Sequence, residues 1–227
     1  MLYLSRYQTE DRQRDGKTEH ELGKRLLAEG LKREYGGCWD ADRDVCRDAF
    51  GKPFLKARSD IYFNISHTEG LAVCVIDRVP VGVDAEKIRS FRTSAMKKIC
   101  SSEEIGWILE DNRIKEDRMT SGGMTEMDFR FFSVWTLKES YVKAIGLGLS
   151  FPMREICFSR EQLGEVRKQP EKTGIRIPGW HFIQWRTGSW VMSVCRRQAE
   201  GPQQAEEAVL REAGLKKEWV IWEDEEQ

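Results

Sequence analysis

Between positions 18 and 35 the apolar residues Leu22, Leu26, Leu27 and Leu31 recur at the spacing that lines one face of a helix. Gly36-Gly37 follows as a stop signal. The period then changes. Residues 40–48 are charged and read as a short helix or a loop, and Gly51-Lys52-Pro53 reads as a turn. Residues 61–65 alternate and 71–76 are continuously apolar, which predicts two strands joined by a short connection at 66–70, the second strand well buried. Asp77-Arg78 and Pro80 break the run, and 81–86 resumes as a strand. Residues 93–99 read as a helix, and Ser101 followed by Glu104 reads as a capping box that opens another through Leu109. Residues 111–128 are charged, contain glycine and are poor in apolar positions, so they read as a loop. Residues 131–145 predict an amphipathic helix closed by Gly146. The segments 155–158, 165–167, 173–177, 180–186 and 190–195 suggest antiparallel strands; 203–217 reads as a helix, 219–222 as a last short strand and 223–227 as an acidic tail.

Helix followed by strands thus occurs twice, before and after about residue 80, with no sequence repeat between the two. The expectation is an α+β fold with a half at 1–80, a second at 81–200, and a C-terminal helix, strand and tail at 201–227. The 227 residues, 40% of them hydrophobic and 8 of them Trp, are enough to bury a core. Lys plus Arg number 37 against 38 Asp plus Glu, a balance that argues against bulk nucleic-acid binding and leaves any anion to local basic patches. The six cysteines form no C-x-x-C pair and there are three histidines, which disfavours a zinc site and suits a reducing compartment. No run of signal-peptide or membrane-spanning length is visible, so the expected setting is the cytoplasm.

Four features could carry chemistry. In Val81-Gly82-Val83-Asp84-Ala85-Glu86, strand alternation places Gly82, Asp84 and Glu86 on one face, where two carboxylates one pleat apart can share a cation such as Mg²⁺. Alone, they read equally as two acids at a solvated strand end. In Trp135-Thr136-Leu137-Lys138-Glu139-Ser140-Tyr141-Val142-Lys143, helical spacing puts Trp135, Glu139 and Lys143 on one stripe. The plain alternative is an exposed ion pair worth about 0.3–0.5 kcal/mol. In Phe63-Asn64-Ile65-Ser66-His67-Thr68, His67 and Ser66 could donate to phosphate, or simply close a strand. Lys52, in the turn Phe50-Gly51-Lys52-Pro53, could do the same or merely decorate the surface.

The order F-G-K-P, F-N-I-S-H-T, V-G-V-D-A-E and W-T-L-K-E-S-Y-V-K-A-I-G-L-G-L-S resembles the surfactin-synthetase type of phosphopantetheinyl transferase from about residue 50 to 152, with a weaker echo at 23–35. The resemblance implies a monomer of two pseudo-symmetric α/β halves, antiparallel sheets packed with helices, and coenzyme A in the cleft between them. It implies Mg²⁺ on Asp84, Glu86 and Glu139, with Glu139 also taking a proton from the carrier serine. It places Lys143 beside the phosphate where the bond breaks, and Lys52, Ser66 and His67 on coenzyme A. The reaction implied is transfer of 4'-phosphopantetheine to an acyl or peptidyl carrier protein, with release of adenosine 3',5'-bisphosphate and no role for nucleic acid or membrane. A basic cluster, Arg89, Arg92, Lys97 and Lys98, could dock an acidic carrier or be a solvated face. The stretch before Gly23 is shorter than in the family; Arg6, Arg12, Arg14 and Lys17 are candidates there for the 3'-phosphate. Two other readings stand beside the enzyme: a non-catalytic homologue that binds coenzyme A or a carrier protein, and a plain metal- or nucleotide-binding module, which the absence of a phosphate-loop glycine pattern disfavours.

Overall fold

A computed structural model describes residues 1–7, 12–110, 125–148, 151–168, 175–198 and 221–223. The strands are β1 (Leu2–Arg6), β2 (Val45–Arg47), β3 (Pro53–Leu55), β4 (Tyr62–Thr68), β5 (Leu71–Asp77), β6 (Val81–Lys87), β7 (Ile175–Ile177), β8 (Trp180–Thr187), β9 (Trp190–Arg197) and β10 (Ile221–Glu223). The helices are α1 (Arg12–Tyr35), α2 (Ala41–Asp44), α3 (Thr93–Ile99), α4 (Ser102–Leu109), α5 (Glu126–Ile145) and α6 (Arg160–Lys168). One four-stranded sheet has the order β10-β1-β5-β4, another β6-β9-β8-β7, and β2 with β3 forms a separate hairpin. All pairings are antiparallel except β1 with β10.

The layers follow from strand alternation. Tyr3, Phe63, Ala72, Cys74 and Ile76 pack against Leu22, Leu26, Leu27 and Leu31 of α1. The other face of that sheet, with Leu4, Leu71, Val73 and Val75, meets Val81, Val83, Ala85, Trp185, Met192 and Val194 of the second sheet. Phe182, Val191 and Cys195, on the far face of the second sheet, pack against Val134, Leu137 and Val142 of α5, with Met96, Trp107 and Ile108 of α3 and α4 in the same cluster. The result is helix, sheet, sheet, helix: an α+β molecule of antiparallel sheets and covering helices.

The two sheets also meet edge to edge. The backbone amides of Val83, Ala85 and Lys87 donate to Asn64 Oδ1 (2.9 Å), Ser66 Oγ (3.2 Å) and Thr68 Oγ1 (3.0 Å). Three alternate side chains of β4 therefore stand in for a missing strand along the open edge of β6. An unpaired buried amide would cost about 1–3 kcal/mol, so this arrangement fixes β6 relative to β4.

Several sequence readings need correction. β1 was not anticipated; its five residues pair with β5. Ser66, His67 and Thr68 lie within β4, not in a connection, because the polar members of that alternation serve β6. Residues 155–158 begin in a 3₁₀ turn (Met153–Glu155) and form no strand, and 165–167 lie inside α6. α5 starts at Glu126, five residues earlier than the apolar pattern suggests, with a capping box between Thr125 and Asp128. It is also buried nearly all round, Arg130 and Lys138 included, and so departs from a simple amphipathic helix. The Ser101–Glu104 capping box is present as read. The helix at 203–217 and most of the loop at 111–128 and of the tail lie outside the described residues.

Candidate active site

Asp84 sits in the middle of β6 and is 5% exposed. Its Oδ1 accepts from Lys143 Nζ at 2.6 Å and from Ser66 Oγ at 3.1 Å, and Lys143 Nζ lies 3.1 Å from Ser66 Oγ. A strand, a second strand from the other sheet and a helix thus contribute one residue each to a single knot. The exposed Glu139–Lys143 pair that helical spacing allowed is not what forms: Lys143 goes to Asp84, and Glu139 is 7% exposed.

What brings α5 so near is Gly82. A Cβ there would stand 2.1 Å from the Ser140 carbonyl oxygen, so only glycine lets the helix lie directly on β6. Buried polar contacts set the helix's position. Gln184 Nε2 donates to the Ser133 carbonyl (2.9 Å), and Thr136 Oγ1 bonds Ser193 Oγ (2.8 Å). Lys138, wholly buried, donates to Glu104 (2.6 Å) and to the Ile99 carbonyl (2.8 Å). At the far end Gly146 takes the left-handed cap (φ 79°), and the Lys52 side chain crosses it to donate to the Ala144 carbonyl.

The electrostatics of the three predicted acids are unusual. Burial, then the charge of Asp84, pushes the Glu139 carboxyl up to about 7, with Glu86 adding to the push and Lys143 opposing it. Burial also raises Asp84, against Lys143 and Ser66, and raises Glu86, against a 2.8 Å bond from Arg89. Glu86 and Glu139 both feel the charge of Asp84, and Glu139 that of Glu86, so the three lie within Coulombic reach of one another. Asp84 Oδ2 and Glu139 Oε1 are buried with no partner. Among the described residues no three His, Cys, Asp or Glu side chains stand together as a ready metal cage, and Lys143 and Arg89 are paired with Asp84 and Glu86. The residues nonetheless suit a hard cation. All three donors are oxygen, two oxygens are orphaned, and the mutual repulsion is what a divalent charge would relieve.

The remaining predicted residues stand apart from this cluster. His67 follows Ser66 on β4 and therefore faces the α1 side, where its Nδ1 lies 3.0 Å from Glu19 Oε2. Lys52 is spent on the end of α5, and burial lowers its pKa. Trp135 packs beside Phe131 at the edge of the helical core. Arg89 is bound to Glu86, while Arg92, Lys97 and Lys98 are exposed. Arg6 donates to Thr187 and lies over Trp190, Lys17 is exposed, and the side chains of Arg12 and Arg14 are outside the description. Glu104 was read from sequence only as a helix cap, Asn64 and Thr68 only as members of the motif around Ser66, and Glu19 was not singled out. Their partners lie 34, 19, 19 and 48 residues away, beyond any local pattern.

An acid-and-lysine knot thus lies between two packed sheets of an α+β scaffold. The family model of the 4'-phosphopantetheinyl transferase superfamily matches residues 80–195, from just before β6 into β9, and the chain belongs to that superfamily. Among curated proteins it is 33% identical over 132 residues to the 4'-phosphopantetheinyl transferase gsp of Aneurinibacillus migulanus, covering 58% of this chain and 50% of the relative. It is 30% identical over 148 residues to the 4'-phosphopantetheinyl transferase Sfp of Bacillus subtilis (strain 168), covering 64% and 59%. It is 32% identical over 203 residues to the mouse L-aminoadipate-semialdehyde dehydrogenase-phosphopantetheinyl transferase, covering 82% and 63%. The chain spans about half the length of the curated relatives it matches first.

Proposed function

We propose that this chain transfers the 4'-phosphopantetheine arm of coenzyme A to a serine of an acyl or peptidyl carrier protein, with Mg²⁺ and with release of adenosine 3',5'-bisphosphate. The observation that supports this most is Glu139, a buried carboxyl with an orphaned oxygen, raised to about 7, one helical turn before a lysine held on Asp84.

In this reading Asp84, Glu86 and Glu139 would hold the Mg²⁺, which when bound neutralises charge on the diphosphate oxygens. The carrier serine Oγ attacks the phosphorus that bears pantetheine. Its proton passes to Glu139 or to a water Glu139 holds, the carboxylate acting as general base. The bond from that phosphorus to the bridging oxygen breaks, and its electrons leave on adenosine bisphosphate. Lys143, released from Asp84, stabilises the charge that builds on the departing oxygen, and Ser66 donates beside it. Positioning and fixed charge supply most of the rate, as elsewhere in phosphoryl transfer. The exposed Arg92, Lys97 and Lys98 offer a basic face to an acidic carrier.

The test is intact mass. An apo carrier protein incubated with coenzyme A, Mg²⁺ and this protein gains one phosphopantetheine unit; with Asp84→Asn, or with a chelator, it does not. A protein that retains coenzyme A yet leaves every apo carrier unmodified is a binder, and the transferase reading fails.

A further inference from the structure

Glu19 projects from α1 toward the edge of β4 and is 13% exposed at its side chain. Both its oxygens are taken. Oε1 accepts from the Tyr7 hydroxyl, which also lies 3.2 Å from the Thr68 carbonyl, and Oε2 faces His67 Nδ1 at 3.0 Å. His67 is 42% exposed. A carboxylate that takes the proton-bearing Nδ1 fixes the ring's orientation and leaves Nε2 as the nitrogen open to a ligand.

We infer that Glu19 is a positioning residue for His67, steadied in turn by Tyr7, and that the relay presents His67 Nε2 to a phosphate group of coenzyme A on the α1 side of the β4 edge. The inference rests on the function proposed above. A free carboxylate at this place would repel an anion. Here its charge is turned inward, shared between a phenol and an imidazole, and the ring edge carrying Nε2 is left facing water. The geometry assigns Ser66 and His67, neighbours on one strand, to opposite faces of β4: Ser66 inward to the acid knot, His67 outward with Glu19. An extended anionic ligand that crosses this edge would meet both.

Calorimetric titration of the full chain with coenzyme A and with 3'-dephospho-coenzyme A tests the relay. Losing a charge-assisted bond that acts through a second residue should weaken coenzyme A binding roughly fivefold in Glu19→Ala. Glu19→Gln, which keeps an acceptor but not the charge, should recover part of the loss. His67→Ala should lose at least as much, and the Glu19→Ala/His67→Ala pair no more than His67→Ala alone, because Glu19 acts only through the ring. Tyr7→Phe, which leaves the apolar ring in place, should shift the dissociation constant the same way by roughly twofold. If the losses vanish with the dephospho ligand, the phosphate met is the 3'-monoester; if they persist, it is the diphosphate. In turnover the change should fall on KM for coenzyme A with kcat kept. Wild-type affinity in Glu19→Ala alongside weakened binding in His67→Ala, or losses that add in the double variant, would overturn the relay. A wild-type protein that binds no coenzyme A overturns the proposed function and this inference together.

Discussion

Gly82 and Ser140 approach too closely for any side chain to intervene: a Cβ on Gly82 would meet the Ser140 carbonyl oxygen at 2.1 Å and the Ala144 amide nitrogen at 2.5 Å. Both obstacles are backbone, so neither can rotate away. Gly82→Ala should push α5 off β6, carrying Glu139 and Lys143 away from Asp84. Overpacking of this kind costs about 1–3 kcal/mol, or roughly 2–10 °C in Tm for a chain of this size. Carrier modification should fall further than stability does, since a 1 Å displacement alone can cost about a hundredfold. Thermal melts and initial rates on the same preparation check both; an alanine variant with wild-type rates would mean the close approach does not position the site.

The contact between the two sheets makes a separate forecast. Asn64→Ala removes the acceptor for the buried Val83 amide without touching Asp84, Ser66 or Lys143. Stranding that donor should cost about 1–3 kcal/mol, read as a lowered midpoint in urea with an unchanged slope. Below the transition, turnover should stay within a few fold of wild type. An unaltered midpoint would show that the polar edge of β4 contributes little to joining the sheets.

The strands and helices with strong local pattern were legible: Leu22, Leu26, Leu27 and Leu31 face the core, and Val81, Val83 and Ala85 face away from Asp84 as strand alternation requires. The same alternation hid the end of β4. Ser66 and Thr68 look like turn residues until β6 is laid beside them, because their partners are backbone amides 19 positions on. The start of α5 was missed because its first turn is charged and its N3 residue is Asp128, not the Glu or Gln of the usual box. In the site, residue types and order pointed to Asp84, Glu86, Glu139 and Lys143, but not to who pairs with whom. Spacing favoured Glu139 with Lys143; tertiary packing instead gave Lys143 to Asp84 and left Glu139 with an orphaned oxygen.

Lys138 precedes Glu139 and points the other way, into the core, where it meets Glu104 with neither side chain exposed. Glu104 also accepts from the Ser101 amide (2.6 Å) and the Phe158 amide (3.0 Å), so one carboxylate ties α4, α5 and the segment before α6 together. Removing one member of a buried pair leaves an uncompensated charge and costs about 3–5 kcal/mol. Lys138→Met alone should therefore be severely destabilised, while Lys138→Met/Glu104→Gln should recover part of the loss. Denaturant titration of the two single variants and the double gives the coupling directly; strictly additive losses would mean the pair does not act as a unit.

Glu139 makes stability depend on pH in a direction that can be worked out. Its carboxyl stands at about 7 in the fold against an ordinary value of 4.5, chiefly from burial and then from Asp84. A raised carboxyl favours the folded state while neutral. That contribution is complete below about 4.5 and is lost as pH climbs through about 7. Asp84 and Glu86, raised for the same leading reason, act with the same sign. In a chelator, the wild-type Tm should then fall between pH 5 and pH 8 by more than that of Glu139→Gln, whose amide is neutral throughout. The variant should melt roughly 5–10 °C above wild type at pH 8, about 2.5 kcal/mol, and close to it at pH 5. Adding Mg²⁺ at pH 8 should reverse the order, because a cation that binds the ionised acids stabilises wild type by mass action and has one ligand fewer in the variant. Equal gaps between the two proteins at both pH values would show that Glu139 is not held near neutrality by its surroundings. A reversed gap without metal would show that Lys143 outweighs burial at this position.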